Sequence, residues 1–104
     1  MLSDSWLVGT SGGVYAANDR GDCERLGAYR FRVMGLDVGR SRVLAATSGG
    51  LWEVRQDFWL QLHDETLTEV MDVLDEGESI VAASAYGVAI GRIDAAGAPC
   101  WDWL

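Results

Sequence analysis

A repeat with a step of 37 residues is the feature that most limits what this chain can fold into. Three segments align without gaps, and each consists of an apolar run, a hydroxyl residue and a tight turn. These segments are 6–15, 43–52 and 80–89. Thr10 in the first segment corresponds to Thr47 in the second and Ser84 in the third. The pair Val33-Met34 recurs as Val70-Met71 at the same step of 37, and two independent motifs with one period indicate a duplicated structural unit.

Each repeat unit has the pattern of four short strands separated by turns. In the middle unit, an apolar strand over 43–47 ends at Ser48-Gly49-Gly50, where glycine permits a tight turn. The innermost strands are predicted at 33–38 and 70–74, and the second strands at 6–10, 43–47 and 80–84. The third strands are predicted at 14–17, 51–54 and 88–91, and the outermost at 23–26, 58–62 and 100–104. Small residues at Gly9, Ala46 and Ala83 favour close packing between neighbouring sheets.

This pattern predicts an all-β fold built from β-propeller blades, with about three four-stranded antiparallel repeats. A helical period is absent from the sequence pattern, and a fixed 37-residue step argues against a sandwich of unrelated hairpins. The whole chain, 1–104, is interpreted as a single repeat domain. It divides into a partial blade at 1–27 and two further blades at 28–64 and 65–104.

The turns between the third and outermost strands carry a second motif. The first unit has Asp19 and Gly21 in its turn, and the third has Asp94 followed by Gly97 and Trp101. Together with the preceding Gly-Thr-Ser-Gly-Gly segment, this pattern resembles the sialidase-type Asp-box (BNR) propeller repeat in a degenerate form. The resemblance implies that Asp19, Gly21 and Asp94 shape structural turns rather than take part in catalysis.

Three blades are too few for a closed ring, since propellers need about 4–8. Head-to-tail association of identical chains would close one, as six blades from a homodimer or nine from a trimer. The first unit has no predicted innermost strand. Three explanations stay open: one blade has three strands, the segment 100–104 crosses to a neighbouring chain, or the chain is a shortened relative of a longer propeller.

Charge restricts the partners that the chain can bind. Sixteen acidic residues stand against eight basic ones, for a net charge of −8, and every basic residue is arginine. A net-acidic protein repels the phosphate backbone, so nucleic-acid binding is not expected. The absence of lysine is typical of a salt-adapted protein, whereas high net charge alone also serves solubility. No apolar run suits a membrane helix and no secretory signal is visible, so we expect a cytoplasmic protein with free thiols at Cys23 and Cys100.

Candidate ligand-binding residues lie on the loops between units and at the C-terminus. Tyr29, with Arg30 and Arg32, combines an aromatic platform with guanidinium groups that suit a carboxylate or a sugar. His63 is the one imidazole in the chain, and Trp103 suits a subunit junction or a sugar face.

Catalytic and metal-binding motifs are not found in the sequence. A single histidine without a nucleophile motif gives no Ser-His-Asp system. Structural zinc needs four ligands, and Cys23, Cys100 and His63 supply three. We therefore expect no metal, no cofactor and no enzymatic activity. The sequence favours a non-catalytic, homo-oligomeric scaffold for protein interaction; the alternative is a propeller that binds glycans or small ligands between blades, and a hydrolase ranks third.

Overall fold

The computed structural model describes residues 5–104, which form an all-β structure without helices. This confirms the predicted secondary-structure class. The strands are β1 (Trp6–Thr10), β2 (Gly13–Ala17), β3 (Cys23–Arg25), β4 (Val33–Val38), β5 (Val43–Thr47), β6 (Gly50–Val54), β7 (Trp59–Gln61), β8 (Val70–Asp75), β9 (Ser79–Ser84), β10 (Gly87–Ile93) and β11 (Pro99–Trp103). Each strand begins and ends within two residues of its predicted bounds. No helix among the described residues has the length and apolar character needed to cross a membrane.

The strands form three antiparallel sheets that follow one another along the chain. The first sheet has the order β1-β2-β3, the second β4-β5-β6-β7 and the third β8-β9-β10-β11. In each sheet of four, the first strand lies at one edge, and β4 packs beside β8. Within the described residues the three sheets do not close into a ring.

The repeated hydroxyl residue has the same structural task in every sheet. The Thr47 hydroxyl accepts a hydrogen bond from the Gly49 N–H at 3.0 Å and donates one to the Gly50 carbonyl at 2.8 Å. Thr10 makes the equivalent pair of bonds in the first sheet, and Ser84 makes them in the third. Gly50 has a φ of +109°, which L side chains rarely adopt. The repeat therefore preserves a turn that sets the register of the central hairpin.

Two apolar layers hold the three sheets side by side. The layer between the first and second sheets contains Val14, Ala16, Leu26, Ala45, Trp52, Val54 and Trp59, all buried. The layer between the second and third contains Leu44, Ala46, Leu51, Leu62, Leu67, Val70, Val73, Ile80, Ala82 and Ala89. The second sheet thus buries both faces, whereas the first and third each bury one.

The small residues predicted to permit close sheet packing do so at two positions. A Cβ added at Gly9 would lie 2.6 Å from Cγ1 of Val33, so the first sheet meets the second where no side chain fits. Ala46 occupies the corresponding position one repeat later and is fully buried against the third sheet. Ala83 continues the series on the outer side of the third sheet, where it is half-buried.

The turns that resemble an Asp-box are held by Asn18 and Asp94. Asn18 Oδ1 accepts hydrogen bonds from the N–H groups of Arg20 and Asp22, as Asp94 Oδ1 does from Ala96 and Ala98. Such capping of local backbone is typical of Asx residues in turns.

Asp19 lies one residue beyond the side chain that holds its turn, so the structural role that the sequence assigned to Asp19 belongs to Asn18. The Asp19 carboxylate is exposed and makes no hydrogen bond within the described residues. Gly21 has a φ of +89° and donates its N–H to the Asn18 carbonyl, as Gly97, with a φ of +85°, donates to Asp94. Asp94 lies 76 positions after Asn18, two more than twice the repeat step, because β10 has 7 residues where β2 has 5.

The two cysteines are both exposed and free, and the strand register places them at different positions of the repeat. Cys23 pairs with Ala17, and Trp101 pairs with Gly91 two repeats later, so Cys23 corresponds to Trp101. Cys100 lies one residue before Trp101, opposite Arg92. The two thiols are therefore not equivalent positions of the repeat.

A salt bridge joins the inner ends of the second and third sheets. Arg42 donates from Nε to Oδ2 of Asp75 at 2.9 Å and from Nη2 to Oδ1 at 2.7 Å. Both side chains are largely buried, and Nη2 also reaches the Gly77 carbonyl. The Arg42 hydrogen bonds lower the pKa of the Asp75 carboxyl, and the Gly77 N–H contributes in the same direction.

This lowered pKa makes the stability of the fold depend on pH in the acid range. Because the folded-state pKa of Asp75 lies below its unfolded value of about 3.9, the carboxylate stabilises the fold fully above that value. The contribution is lost as the pH falls through the folded-state pKa. We expect Asp75→Asn to lower the free energy of unfolding by about 1–3 kcal/mol at pH 7, with the difference from the unsubstituted chain shrinking below about pH 4. Urea unfolding between pH 7 and pH 2 measures this, and a difference independent of pH would contradict it.

Candidate functional site

The densest group of aromatic side chains surrounds the turn between β5 and β6. This aromatic cluster consists of Tyr29, Phe31, Trp52, Trp59 and His63. Trp52 contacts all four of the other rings, and the Tyr29 centroid lies 4.7 Å from Trp52, 5.4 Å from Phe31 and 5.6 Å from Trp59. Trp52 and Trp59 are buried, whereas Tyr29 is 42% exposed. The cluster thus presents the exposed Tyr29 ring against two buried tryptophan rings.

The loop between the first and second sheets positions Tyr29 and Phe31. The Arg32 carbonyl accepts a hydrogen bond from the Ser48 N–H at 3.0 Å, which fixes the loop to the β5–β6 turn. Gly49 in that turn leaves room for the Phe31 ring, since a Cβ there would lie within 2.6 Å of three ring atoms. The Gly49 carbonyl accepts a bond from Trp52 Nε1 at 3.2 Å. Turn glycines therefore allow the aromatic rings to approach the main chain.

Trp59 ties the cluster to the first sheet through a buried hydrogen bond. Its Nε1 donates to the Leu26 carbonyl at 2.8 Å, and a Cβ on Gly27 would lie 2.7 Å from the indole. Trp101 makes the corresponding bond one unit later, from Nε1 to the Leu62 carbonyl, also at 2.8 Å. Each tryptophan thus donates to the carbonyl of the leucine that follows the last strand of the preceding sheet.

His63 closes the other side of the same turn. Its Nδ1 lies 3.1 Å from the Leu51 nitrogen and 3.0 Å from the Leu51 oxygen. The Leu51 N–H donates to an unprotonated Nδ1, or a protonated Nδ1 donates to the carbonyl, according to the tautomer. The ring packs edge-on against Trp52, with centroids 5.2 Å apart. His63 is thus held by the main chain of β6.

The acidic loop after His63 is also organised by local hydrogen bonds. The Thr66 hydroxyl and N–H donate to Asp64 Oδ1 at 2.6 and 2.9 Å. The hydroxyl bond is the main cause of a lowered pKa at the Asp64 carboxyl. Leu67 follows, fully buried, and its N–H donates to the Asp64 carbonyl. This carboxylate caps a turn that anchors the loop in the second apolar layer.

The predicted ligand-binding residues fall into three environments. Tyr29 and His63 are both in the aromatic cluster, where each ring contacts Trp52. Arg30 and Arg32 flank the cluster, are exposed, and make no ion pair within the described residues. Trp103 lies apart, in β11 of the third sheet, where it pairs with Ala89 and is half exposed.

Phe31, Trp52 and Trp59 are members of the cluster that the sequence did not single out as site residues. The alternation of Tyr29 and Phe31 with arginines was the available signal for Phe31. The described residues contain no group of three or more His, Cys, Asp or Glu side chains placed to hold a metal ion. Comparison of the chain with protein-family models, with curated proteins and with solved structures gave no match.

The Trp59 hydrogen bond can be tested by removing its donor. We expect Trp59→Phe to lower the free energy of unfolding by about 1–3 kcal/mol, because the buried Leu26 carbonyl loses its partner. Tyr86→Phe is the control, since it removes a hydroxyl from an exposed ring in the β9–β10 turn and a surface change costs about 0.5 kcal/mol or less. Urea unfolding of both variants measures the difference. Equal stabilities for the two would contradict a structural role for the bond.

Proposed function

We propose that this chain is a non-catalytic scaffold that associates head-to-tail with a second copy of itself into a ring of propeller type. The observation that carries the proposal is the repetition of the sheet-to-sheet contacts. Residues equivalent to those in the two internal contacts also lie on one face of the first sheet and one face of the third, and the described residues leave both faces uncovered.

The face by which each sheet packs on the next uses equivalent residues. Leu7, Val14 and Leu26 face the second sheet from the first, and Leu44, Leu51 and Leu62 face the third from the second. Their counterparts in the third sheet are Val81, Val88 and Leu104. Val88 is 39% exposed and Leu104 is 79% exposed, whereas the residues before them in the series are buried. The third sheet therefore repeats the apolar face of its neighbours without a cover.

The first sheet carries the complementary face. Ile80 and Ala82 of the third sheet are fully buried against the second. Their counterparts two repeats earlier are Trp6 and Val8, which are 63% and 43% exposed. Exposed contiguous apolar surface of this kind marks an association site. The uncovered face of the third sheet is thus equivalent to the face by which the second sheet packs on the third. The uncovered face of the first sheet is equivalent to the face by which the third sheet packs on the second.

One main-chain hydrogen bond is repeated after the last strand of each of the three sheets. Leu26, Leu62 and Leu104 donate their N–H groups to the carbonyls of Val14, Leu51 and Val88, respectively. The carbonyls of Leu26 and Leu62 in turn accept from Trp59 and Trp101. Cys23 occupies the corresponding register position in the first sheet. A junction between copies would thus lack the tryptophan bond and would be weaker than the internal ones.

A homodimer accounts for these faces with the fewest copies. A head-to-tail interface that closes gives a ring in which no apolar face remains uncovered. Two chains supply six sheets, which lies within the range of about 4–8 for propellers, whereas three would supply nine. Since each chain carries a net charge of −8, we propose that salt strengthens the association by screening repulsion between copies.

Light scattering at low and at molar salt tests the association. We expect about twice the chain mass of 11.3 kDa at molar salt, with dissociation as the salt falls. Val88→Asp should weaken the dimer at least tenfold, because it would place an unpaired charge in the junction. Leu60→Asp adds the same charge on the exposed β7 and should leave the mass unchanged.

A substitution that strengthens the dimer would test the position of the junction more directly than one that weakens it. Cys23→Trp restores an indole at the register position of Trp59 and Trp101, aimed at the partner's Leu104 carbonyl. One added hydrogen bond of about 1–1.5 kcal/mol should tighten the dimer about tenfold. A monomer at every salt concentration, or a Val88→Asp dimer as tight as the unsubstituted one, would overturn the proposed assembly.

A second candidate function is glycan or small-ligand binding at the aromatic cluster. Tyr29 offers an exposed ring against two buried tryptophan rings, and the uncommitted Arg30 and Arg32 side chains lie beside it in the loop. Flat aromatic faces with nearby polar groups suit sugars and carboxylates.

A glycan array tests this candidate with the chain at molar salt. Binding should be lost in Tyr29→Ala and kept in Tyr86→Ala, which removes an exposed tyrosine from the third sheet. Loss in both variants, or no binding by the unsubstituted chain, would argue against glycan recognition at this cluster.

A further inference from the structure

One edge of β1 has no strand paired to it among the described residues. In the second sheet β4 pairs with the equivalent edge of β5, and in the third β8 pairs with that of β9. The first sheet has the order β1-β2-β3, with β1 at its inner edge. The position filled by an innermost strand in two sheets is therefore open in the first.

The groups on this edge follow from the hairpin register. Thr10 and Gly13 close a two-residue turn and face each other as a hydrogen-bonded pair. Because such pairs alternate along a strand, the N–H and C=O groups of Leu7 and Gly9 point away from β2. In the second sheet their counterparts, Leu44 and Ala46, pair with Asp37 and Gly35 of β4. Unpaired edge groups of this kind are a template for another strand.

The two innermost strands share one sequence pattern and one irregularity. β4 begins Val33-Met34 and β8 begins Val70-Met71. In both, the register shifts after the first valine, so that Val33 faces Thr47 and Val70 faces Ser84. Thr10 is the third member of that series. A strand on β1 would thus place a valine opposite Thr10 and, two residues later, a residue opposite Gly9.

An open groove borders β1 on the side of β4. This groove runs between the first sheet and β4 and is lined by Gly9, Val33, Met34, Gly35 and Leu36. One unit later, β4 and β8 lie side by side in the same relation. A strand added to β1 would contact β4 as β4 contacts β8.

We propose that the free edge of β1 binds an extended segment of a partner polypeptide, antiparallel to β1, as the fourth strand of the first sheet. The segment carries the innermost-strand pattern Val-Met, a small or acidic residue, and then Leu or Val. Basic flanking residues favour it because the chain has a net charge of −8. A second copy does not supply it, since β4 and β8 already pair within their own sheets. This binding does not depend on the proposed head-to-tail assembly.

Amide hydrogen exchange of the full chain, with a synthetic peptide copying residues 31–40, tests the proposal. That segment contains the innermost-strand pattern between Arg32 and Arg40. We expect the amides of Leu7 and Gly9 to exchange about tenfold more slowly when the free peptide is at ten times its Kd. Amides of the third sheet should be unaffected.

Two N-methylated peptides separate strand addition from other binding. Methylation at the position of Asp37 blocks an N–H that would point to β1, and should abolish the protection. Methylation at the position of Leu36 blocks an N–H that would point away, and should preserve it. Equal effects of the two peptides, or no protection by the unmodified one at millimolar concentration, would overturn the proposal. In the Val88→Asp variant, which lacks the proposed dimer junction, protection that rises with protein concentration in the absence of peptide would also overturn it, because a second copy would then occupy the edge.

Discussion

Burial of one sheet face on the next is the interaction on which the rest of the structure depends. A sheet with an apolar face must bury that face against another element. The second sheet buries both faces, through Trp52 and Trp59 on one side and Leu44 and Leu51 on the other. The outer sheets gain their order from this central one. The hydrogen bonds from Trp59 and Trp101 then fix the register of each contact, since each indole must reach one particular carbonyl.

The strands could be predicted from sequence because their signals are local and repeated three times. Hydroxyl residues at Thr10, Thr47 and Ser84, each followed by a turn, placed all three central hairpins. The inner and outer strands then followed from the same 37-residue step. The turn at Asn18 was misplaced by one residue because Asn and Asp cap turns equally well. Sequence alone gave no means of choosing between Asn18 and Asp19.

The aromatic cluster was only partly predictable for a different reason. Tyr29 and His63 are 34 positions apart, and their shared contact with Trp52 depends on how a loop folds over a neighbouring turn. Trp52 is buried, and its ring contacts both candidates. Trp103 has no such neighbour, because β11 lies on the far sheet. Long-range placement of this kind follows from tertiary contacts that no local pattern encodes.

The arrangement of the sheets has a consequence for how such a chain can change in length. The principal contacts of each sheet are within itself and with the adjacent sheet. Adding or removing one unit would therefore remake a junction that already exists, without disturbing the others. Duplication of a 37-residue unit would thus leave the existing sheets and their contacts unchanged. A longer chain of this design would gain one further sheet-to-sheet contact of the kind already present for each unit added.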